Sequence, residues 1–167
     1  MRKSRIPYVF TITMTQTIQH YTELIVYRNA VEAAVTVHRS VSNIPEGENR
    51  TLTEPLLAAS RMVGAAIASA WGRRRYKTPF VAKLGVAESA ATETQFWLEM
   101  AERCGYLKLK ERVKLENIYG EITAQLAKMI ASSHKWLLRP EIKQEPQAPA
   151  SSGKRPSGAA IPSNAPF

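Results

Sequence analysis

The sequence predicts an all-α protein, an antiparallel up-and-down four-helix bundle with a flexible tail at each end. Two observations support this fold class. Apolar residues recur at alternating steps of three and four over four separate stretches, which is the spacing of a helix packed lengthwise against its neighbours. Short breaks containing Pro, Gly or basic residues separate the stretches, and helices joined by short connections pack most simply as antiparallel neighbours.

The 167 residues provide for one domain with a core and two tails. Residues 1–15 are basic and then apolar, and the apolar run is much shorter than the ~20 residues of a membrane span. They are expected to be a disordered extension, and translation starting at Met1 or at Met14 is left open. The bundle is predicted over residues 16–138. Residues 139–167 are rich in Pro, Ser and Ala and are expected to be a disordered tail.

The first helix is predicted from about Thr17 to about residue 42. Its apolar stripe consists of Leu24, Tyr27, Val31, Ala34, His38 and Val41. His38 is therefore interpreted as a core histidine and not as a ligand. Thr53 is the candidate cap of the second helix, which ends at Trp71 and Gly72. The stripe of the second helix is Leu56, Ser60, Val63, Ile67 and Ala70.

The third helix is predicted to begin with Thr78 as its cap and Pro79 at the first helical position. Gly105 stands where a left-handed residue ends a helix. The fourth helix is predicted from Lys108 to about Leu138. The third stripe is Phe80, Leu84, Ala87, Ala91, Thr94, Leu98 and Ala101, and the fourth is Leu115, Ile118, Ile122, Leu126, Met129 and Ile130.

Basic residues collect at one end of the predicted bundle. The chain carries a net charge of +9, and an up-and-down topology brings the corner after the second helix to the same end as the C-terminus of the fourth. We call this end the basic pole and define it by Arg73, Arg74, Arg75, Lys77, Lys135 and Arg139. Such a cluster favours acidic partners, chiefly RNA or DNA bound without sequence preference. The alternative is a scaffold whose basic pole meets an acidic protein.

Many of the residue patterns that enzymes and metal sites commonly use are missing. The chain contains no Asp, and the residues three before His20, His38 and His134 are not Glu, so a bundle-type di-metal site is not expected. No phosphate-binding loop or nucleophile elbow is present. We therefore expect no catalytic residue, metal or cofactor. The single Cys104 excludes an internal disulfide and favours a reducing cytoplasm, and its position among apolar residues predicts a packing role.

Large side chains on and near the third helix have two interpretations. Phe96, Trp97 and Met100 lie off the stripe of that helix, and Trp71 ends the second. They either widen the core face or form a second apolar face between subunits, where aromatic residues are enriched. The pattern alone leaves both open.

The chain resembles a family of four-helix-bundle proteins encoded in intervening sequences of bacterial large-subunit ribosomal RNA genes. The similar blocks are L-I-V-Y-R-N-A in the first helix, then A-I-A-S-A-W-G-R-R-R-Y, F-V-A-K-L, A-x-x-E-T-Q-F-W-L and A-E-R-C-G-Y-L. Their order and spacing cover residues 21–138. One departure is that Ala66 and Ser69 stand where the family commonly has Asn and Glu.

The resemblance implies a non-enzymatic bundle that assembles as a ring-like homopentamer, with nucleic-acid association as the usual suggestion for its function. A related bundle is the accessory variability determinant of diversity-generating retroelements, a basic pentamer thought to bind a reverse transcriptase and its RNA. The chain is similar to this second family to a lesser degree. A retroelement accessory protein is therefore kept as an alternative, and no membrane association is expected.

Overall fold

The computed structural model describes residues 18–138, which form four main helices. These are α1 (Ile25–Ser40), α2 (Glu54–Trp71), α3 (Lys77–Arg103) and α4 (Leu109–Ala131). Each helix packs against the next along the chain, and α4 packs back against α1. The four helices therefore close an antiparallel up-and-down bundle with no strand in the described range, which confirms the predicted fold class. The expected tails, residues 1–15 and 139–167, lie outside the described residues.

The core is built from the predicted stripes of α2 and α3. Every residue of those two stripes is buried, including the polar Ser60 and Thr94. Both hydroxyls donate within their own helix, Ser60 to the Leu57 carbonyl at 2.9 Å and Thr94 to the Ala90 carbonyl at 2.8 Å. A buried hydroxyl needs such a partner, because burial without one costs free energy. Tyr119 of α4 is fully buried beside them and was missed by the predicted stripe.

The predicted stripe of α1 was wrong in its central part. Val26, Ala30, Ala33 and Val37 are the buried residues, whereas Val31 is 39% exposed and His38 is exposed. His38 is therefore not a core histidine. The helix has apolar residues on two adjacent faces, and both faces satisfy the three-and-four spacing, so the spacing could not select between them.

The N-terminal ends of three helices differ from the predictions. The chain forms a 3₁₀ turn at Tyr21–Glu23, and α1 begins only at Ile25, because the Glu23 carboxylate accepts hydrogen bonds from the backbone N–H groups of Gln19 and His20. Helix α3 begins at Lys77, so Thr78 lies inside the first turn and caps nothing. Thr53 is at the N-cap of α2 without a capping hydrogen bond, since a π turn over Asn49–Thr53 continues into the helix.

The C-terminal end of α3 agrees with the prediction, whereas that of α4 does not. Gly105 has φ +79°, and the backbone N–H groups of Tyr106 and Leu107 return to the Ala101 carbonyl, which is the predicted left-handed ending. Cys104 is exposed at this bend, so the predicted packing role was wrong. Helix α4 ends at Ala131, earlier than predicted, and a 3₁₀ turn over Ser133–Lys135 follows.

Candidate functional site

Three segments of the chain meet at the basic pole. The indole N–H of Trp71, at the end of α2, donates to the Gln19 carbonyl at 3.3 Å. Trp71 also meets Trp136, which follows α4, with ring centroids 6.4 Å apart. The Leu138 N–H donates to the carbonyl of Arg74 at 3.0 Å. The structure thus joins the α2–α3 corner to the segments before α1 and after α4, while Arg139 lies outside the described residues.

Arg74 differs from its neighbours because its side chain turns inward. The guanidinium carbon lies 3.3 Å from the centroid of the Trp71 ring, and Nε donates to the Trp71 carbonyl at 3.0 Å. Burial lowers the pKa of this guanidinium from its ordinary value. A cation stacked on an aromatic face is held in place, so Arg74 fastens the corner while it keeps its positive charge.

The remaining described members of the basic pole face solvent. Arg73, Arg75, Lys77 and Lys135 are all exposed. None of them forms an ion pair within residues 18–138. The acidic residue of the neighbouring turn Tyr21–Glu23 is Glu23, whose carboxylate accepts hydrogen bonds from the backbone of Gln19 and His20. Tyr76 lies among these cations with 66% of its surface exposed and was not singled out from the sequence. An aromatic residue flanked by cations is a pattern that indicates nucleic-acid binding, and the stretch R-R-R-Y-K already contains it.

The opposite pole carries charges of both signs, and some of them form ion pairs. We call this end, where α1 meets α2 and α3 meets α4, the mixed pole. Arg112 forms ion pairs with Glu116 and with Glu102, and Arg103 pairs with Glu99 at 2.7 Å. Gln95 adds a hydrogen bond to the Glu116 carbonyl at 3.2 Å. The mixed pole also carries exposed lysines outside these pairs, such as Lys108 and Lys110, so the basic pole is distinguished by its lack of neighbouring carboxylates and not by holding all of the unpaired cations.

Phe96, Trp97 and Met100 form a patch on the surface of α3, which we call the aromatic patch. Phe96 is 52% exposed, and its ring meets that of Trp97 edge-on with centroids 4.9 Å apart. The Trp97 indole N–H donates to the Glu93 carboxylate at 3.4 Å. Trp71, grouped with these residues in the sequence analysis, is 8% exposed and belongs to the basic pole. Trp97 and Met100 are half-buried and pack against the core, so they widen the core face, whereas Phe96 leaves an exposed aromatic ring on the surface of α3.

A second apolar surface lies between α1 and α2, and we call it the α1–α2 groove. Its volume is about 360 Å³, and small residues, Ala34, Gly64, Ala65 and Ala68, make up much of its lining. Val31 and Val35, 39% and 38% exposed, form its rim. Its polar lining side chains are Arg61, His38 and the Tyr27 phenol, and the lining contains no carboxylate. The groove is built on the second apolar face of α1, which the sequence analysis assigned to the core.

The centre of the bundle contains one further titratable group. The Tyr119 hydroxyl is surrounded by α2, α3 and α4 near the hydroxyls of Ser60 and Thr94, and burial raises the pKa of this phenol above its ordinary value. No hydrogen bond of ordinary geometry reaches its oxygen within the described residues. The group is neutral and enclosed, so it is a structural feature of the core.

Two other kinds of feature are absent from the described residues. Residues 18–138 contain no group of three or more His, Cys or Glu side chains arranged to hold a metal ion. Within the same range, no helix combines the length and the hydrophobicity that crossing a membrane requires.

Comparison with protein families gives a match to the model of the 23S rRNA-intervening sequence protein over residues 22–128. This segment covers more than half of the chain and includes all of α1, α2 and α3 and most of α4. The chain belongs to the 23S rRNA-intervening sequence protein family. The resemblance inferred from the sequence blocks is therefore confirmed. Among curated proteins, no sequence matches the chain.

A solved structure shares this fold. It is the crystal structure of a protein of unknown function from the S23 ribosomal protein family of Bacteroides thetaiotaomicron, 25% identical to this chain with a TM-score of 0.58. The match covers 64% of this chain and 98% of the other. The 23S rRNA-intervening sequence bundle thus corresponds to nearly the whole of that protein, and the chain here extends beyond it.

Proposed function

We propose that the chain is a non-enzymatic, cytoplasmic homo-oligomer that binds RNA or DNA without sequence preference through its basic pole. The observation that carries the proposal is the set of four exposed cations, Arg73, Arg75, Lys77 and Lys135, with no ion-pair partner in residues 18–138. Unpaired cations on a fixed surface release counterions from phosphates when they bind, which is the main source of non-specific affinity.

The corner that presents these cations is held in place from both sides. Arg74 is stacked on Trp71, and its carbonyl accepts the hydrogen bond from Leu138. The neighbouring side chains therefore project from a supported backbone, while their own long stems stay free to follow an irregular phosphate path. Tyr76 supplies a ring on which an unpaired base can stack, and such stacking tolerates any base.

The oligomer is proposed from the aromatic patch and from the resemblance, which implies a pentamer. Exposed aromatic side chains are enriched at interfaces between subunits, and Phe96 has half of its surface in water. In a closed assembly of identical subunits each basic pole is repeated by the symmetry. Several weak phosphate contacts then act on one nucleic acid, which raises the overall affinity without any base-specific contact.

The test is a salt titration of binding to a generic single-stranded RNA and to a duplex DNA. The variant Arg73→Gln, Arg75→Gln and Lys77→Gln removes three exposed charges from the basic pole. Its matched control is Lys108→Gln, Lys110→Gln and Lys114→Gln, three exposed charges at and near the mixed pole. We expect the first variant to bind more weakly and to flatten the plot of log K against log salt, by roughly 0.9 per lost duplex-phosphate contact.

The control variant should keep the wild-type slope. Circular dichroism of both variants should show the helical content of the wild type, since all six side chains are exposed. Equal loss of binding in the two variants would mean that net charge alone is responsible, and the basic pole would have no special role. Unchanged binding in the first variant would refute the proposed interface.

A further inference from the structure

Of the aromatic side chains that the structure describes at the basic pole, Tyr76 is the one with a free ring. It is 66% exposed, and within residues 18–138 its ring pairs with no other aromatic ring. Trp71, by contrast, is 8% exposed, is covered by the Arg74 guanidinium and meets the ring of Trp136. The open ring face is therefore particular to Tyr76 and is not shared by the other aromatic residues of the pole.

The backbone at Tyr76 explains why the ring stays uncovered. Its φ of −130° and ψ of 136° are extended values at the N-cap of α3. Successive side chains leave an extended backbone on opposite sides, so the stems of Arg75 and Lys77 do not cover the ring. The Tyr76 N–H donates to the Arg73 carbonyl at 3.3 Å, and the Tyr76 carbonyl accepts from the Phe80 N–H at 3.3 Å. The ring thus projects from an anchored residue between two exposed cations.

We propose that the basic pole selects single-stranded over double-stranded nucleic acid, with an unpaired base stacked on the Tyr76 ring and the adjacent phosphates held by Arg75 and Lys77. The inference deepens the nucleic-acid binding proposed above and rests on it, but it does not depend on the oligomer. Inside a duplex each base is stacked on its neighbours and paired, so an outside ring reaches it only if the base is extruded. A single strand offers its bases at no such cost, and every base has a face that can stack.

The exposed cations alone favour the opposite choice. A duplex carries one negative charge per about 1.7 Å of its axis, and each neutralised phosphate contributes about 0.9 to its salt slope against about 0.7 for a single strand. A preference for single strands must therefore come from the ring. Stacking of one base on an aromatic side chain changes the affinity by a factor of about 5 to 100, which is enough to reverse the electrostatic preference.

The experiment compares three short DNA probes at one salt concentration. They are a single strand, the same strand with abasic sites in place of its bases, and the duplex of the first strand with its complement. The abasic strand keeps every phosphate and offers no base to stack. Binding to the full-length protein is measured by fluorescence anisotropy for the wild type, Tyr76→Ala and Tyr76→Trp. The matched control is Leu109→Ala, which removes a 57% exposed side chain at the mixed pole, and circular dichroism checks the folding of each variant.

We expect the wild type to bind the strand with bases more tightly than either other probe. Tyr76→Ala should weaken binding to that strand by about tenfold and leave the other two affinities unchanged. Tyr76→Trp keeps a ring and should preserve the preference, and Leu109→Ala should bind all three probes like the wild type.

Two results would overturn the stacking role and leave phosphate binding standing. One is an abasic strand bound by the wild type as tightly as the strand with bases. The other is an equal loss for all three probes in Tyr76→Ala, since the residue would then only support the cations around it. A wild type that binds none of the probes would refute both the single-strand preference and the nucleic-acid interface on which it rests.

Discussion

Substitution of Arg74 tests whether this residue of the basic pole stabilises the fold while its exposed neighbours do not. Its guanidinium stacks on Trp71 at 3.3 Å, and its Nε donates to the Trp71 carbonyl. A partly desolvated cation–π contact is worth about 1–2 kcal/mol, and the hydrogen bond adds about 1 kcal/mol net. Arg74→Ala is therefore expected to lower the free energy of unfolding by about 2 kcal/mol, which corresponds to a fall in Tm of about 5–10 °C for a domain of this size.

The assay is urea and thermal unfolding followed by circular dichroism, with Arg73→Ala as the matched control. Arg73 is exposed one residue away, so its removal should change the free energy of unfolding by less than about 0.5 kcal/mol. Arg74→Lys should not restore stability, because an ammonium group lacks the planar surface and the Nε donor of a guanidinium. If Arg74→Ala is as stable as Arg73→Ala, the stacked geometry contributes nothing and Arg74 is an ordinary member of the basic pole.

Three further substitutions test the core and the helix ends. Tyr119→Phe should leave the urea midpoint unchanged or raise it, because the buried hydroxyl has no well-aligned partner among the described residues; a loss above ~1 kcal/mol would reveal a strong hydrogen bond. Gly105→Ala should lower the free energy of unfolding by about 1–2 kcal/mol, since φ is +79°. Gly120→Ala, in an open position on α4, should raise it by about 0.5–1 kcal/mol, and thermal melts of the two glycine variants should move in opposite directions.

Much of the fold followed from the sequence because the predicted stripes of α2 and α3 keep their spacing along the whole helix. In α3 the stripe runs without interruption from Phe80 to Ala101, whereas the apolar residues off it, such as Val86 and Phe96, are separated by the polar Ser89 and Glu93. Helix α1 has two apolar faces, so its pattern could not select one. Val26, Ala30 and Val37 compete with Tyr27, Val31 and Ala34, and only the packing of α2 and α4 decides which set faces inward.

The candidate site was predicted as a set of residues, but their separate roles were not. The run Arg73, Arg74 and Arg75 contains three identical side chains, and sequence pattern treats them alike. Trp71 separates them in the structure, since only Arg74 is placed to stack on its ring. Trp71 packs against Trp136 at the pole, whereas on α3 the exposed Phe96 meets the half-buried Trp97. Which aromatic residue is buried depends on contacts between segments distant in the chain.

The aromatic patch and the basic pole lie far apart on one molecule, so the effect of the first on nucleic-acid binding can be tested without altering the second. Phe96 is nineteen residues from Lys77 along α3, roughly 28 Å from the basic pole. Phe96→Glu leaves every cation of that pole in place. We expect Phe96→Glu to be monomeric. If the oligomer aligns its basic poles on one face, this variant should lose most of its affinity for a long RNA although all its cations remain, and its salt slope should fall toward that of a single pole.

The affinity of the same variant for a short oligonucleotide, which spans only one pole, should stay close to that of the wild type. Filter binding with a long and a short RNA of one composition separates avidity from the affinity of a single pole. The control is Val113→Glu, which makes the same kind of change at a 41% exposed residue of α4 outside the aromatic patch. Equal affinity of wild type and Phe96→Glu for the long RNA, in a variant shown to be monomeric, would refute avidity. Binding would then come from each basic pole separately, and the oligomer would have another purpose.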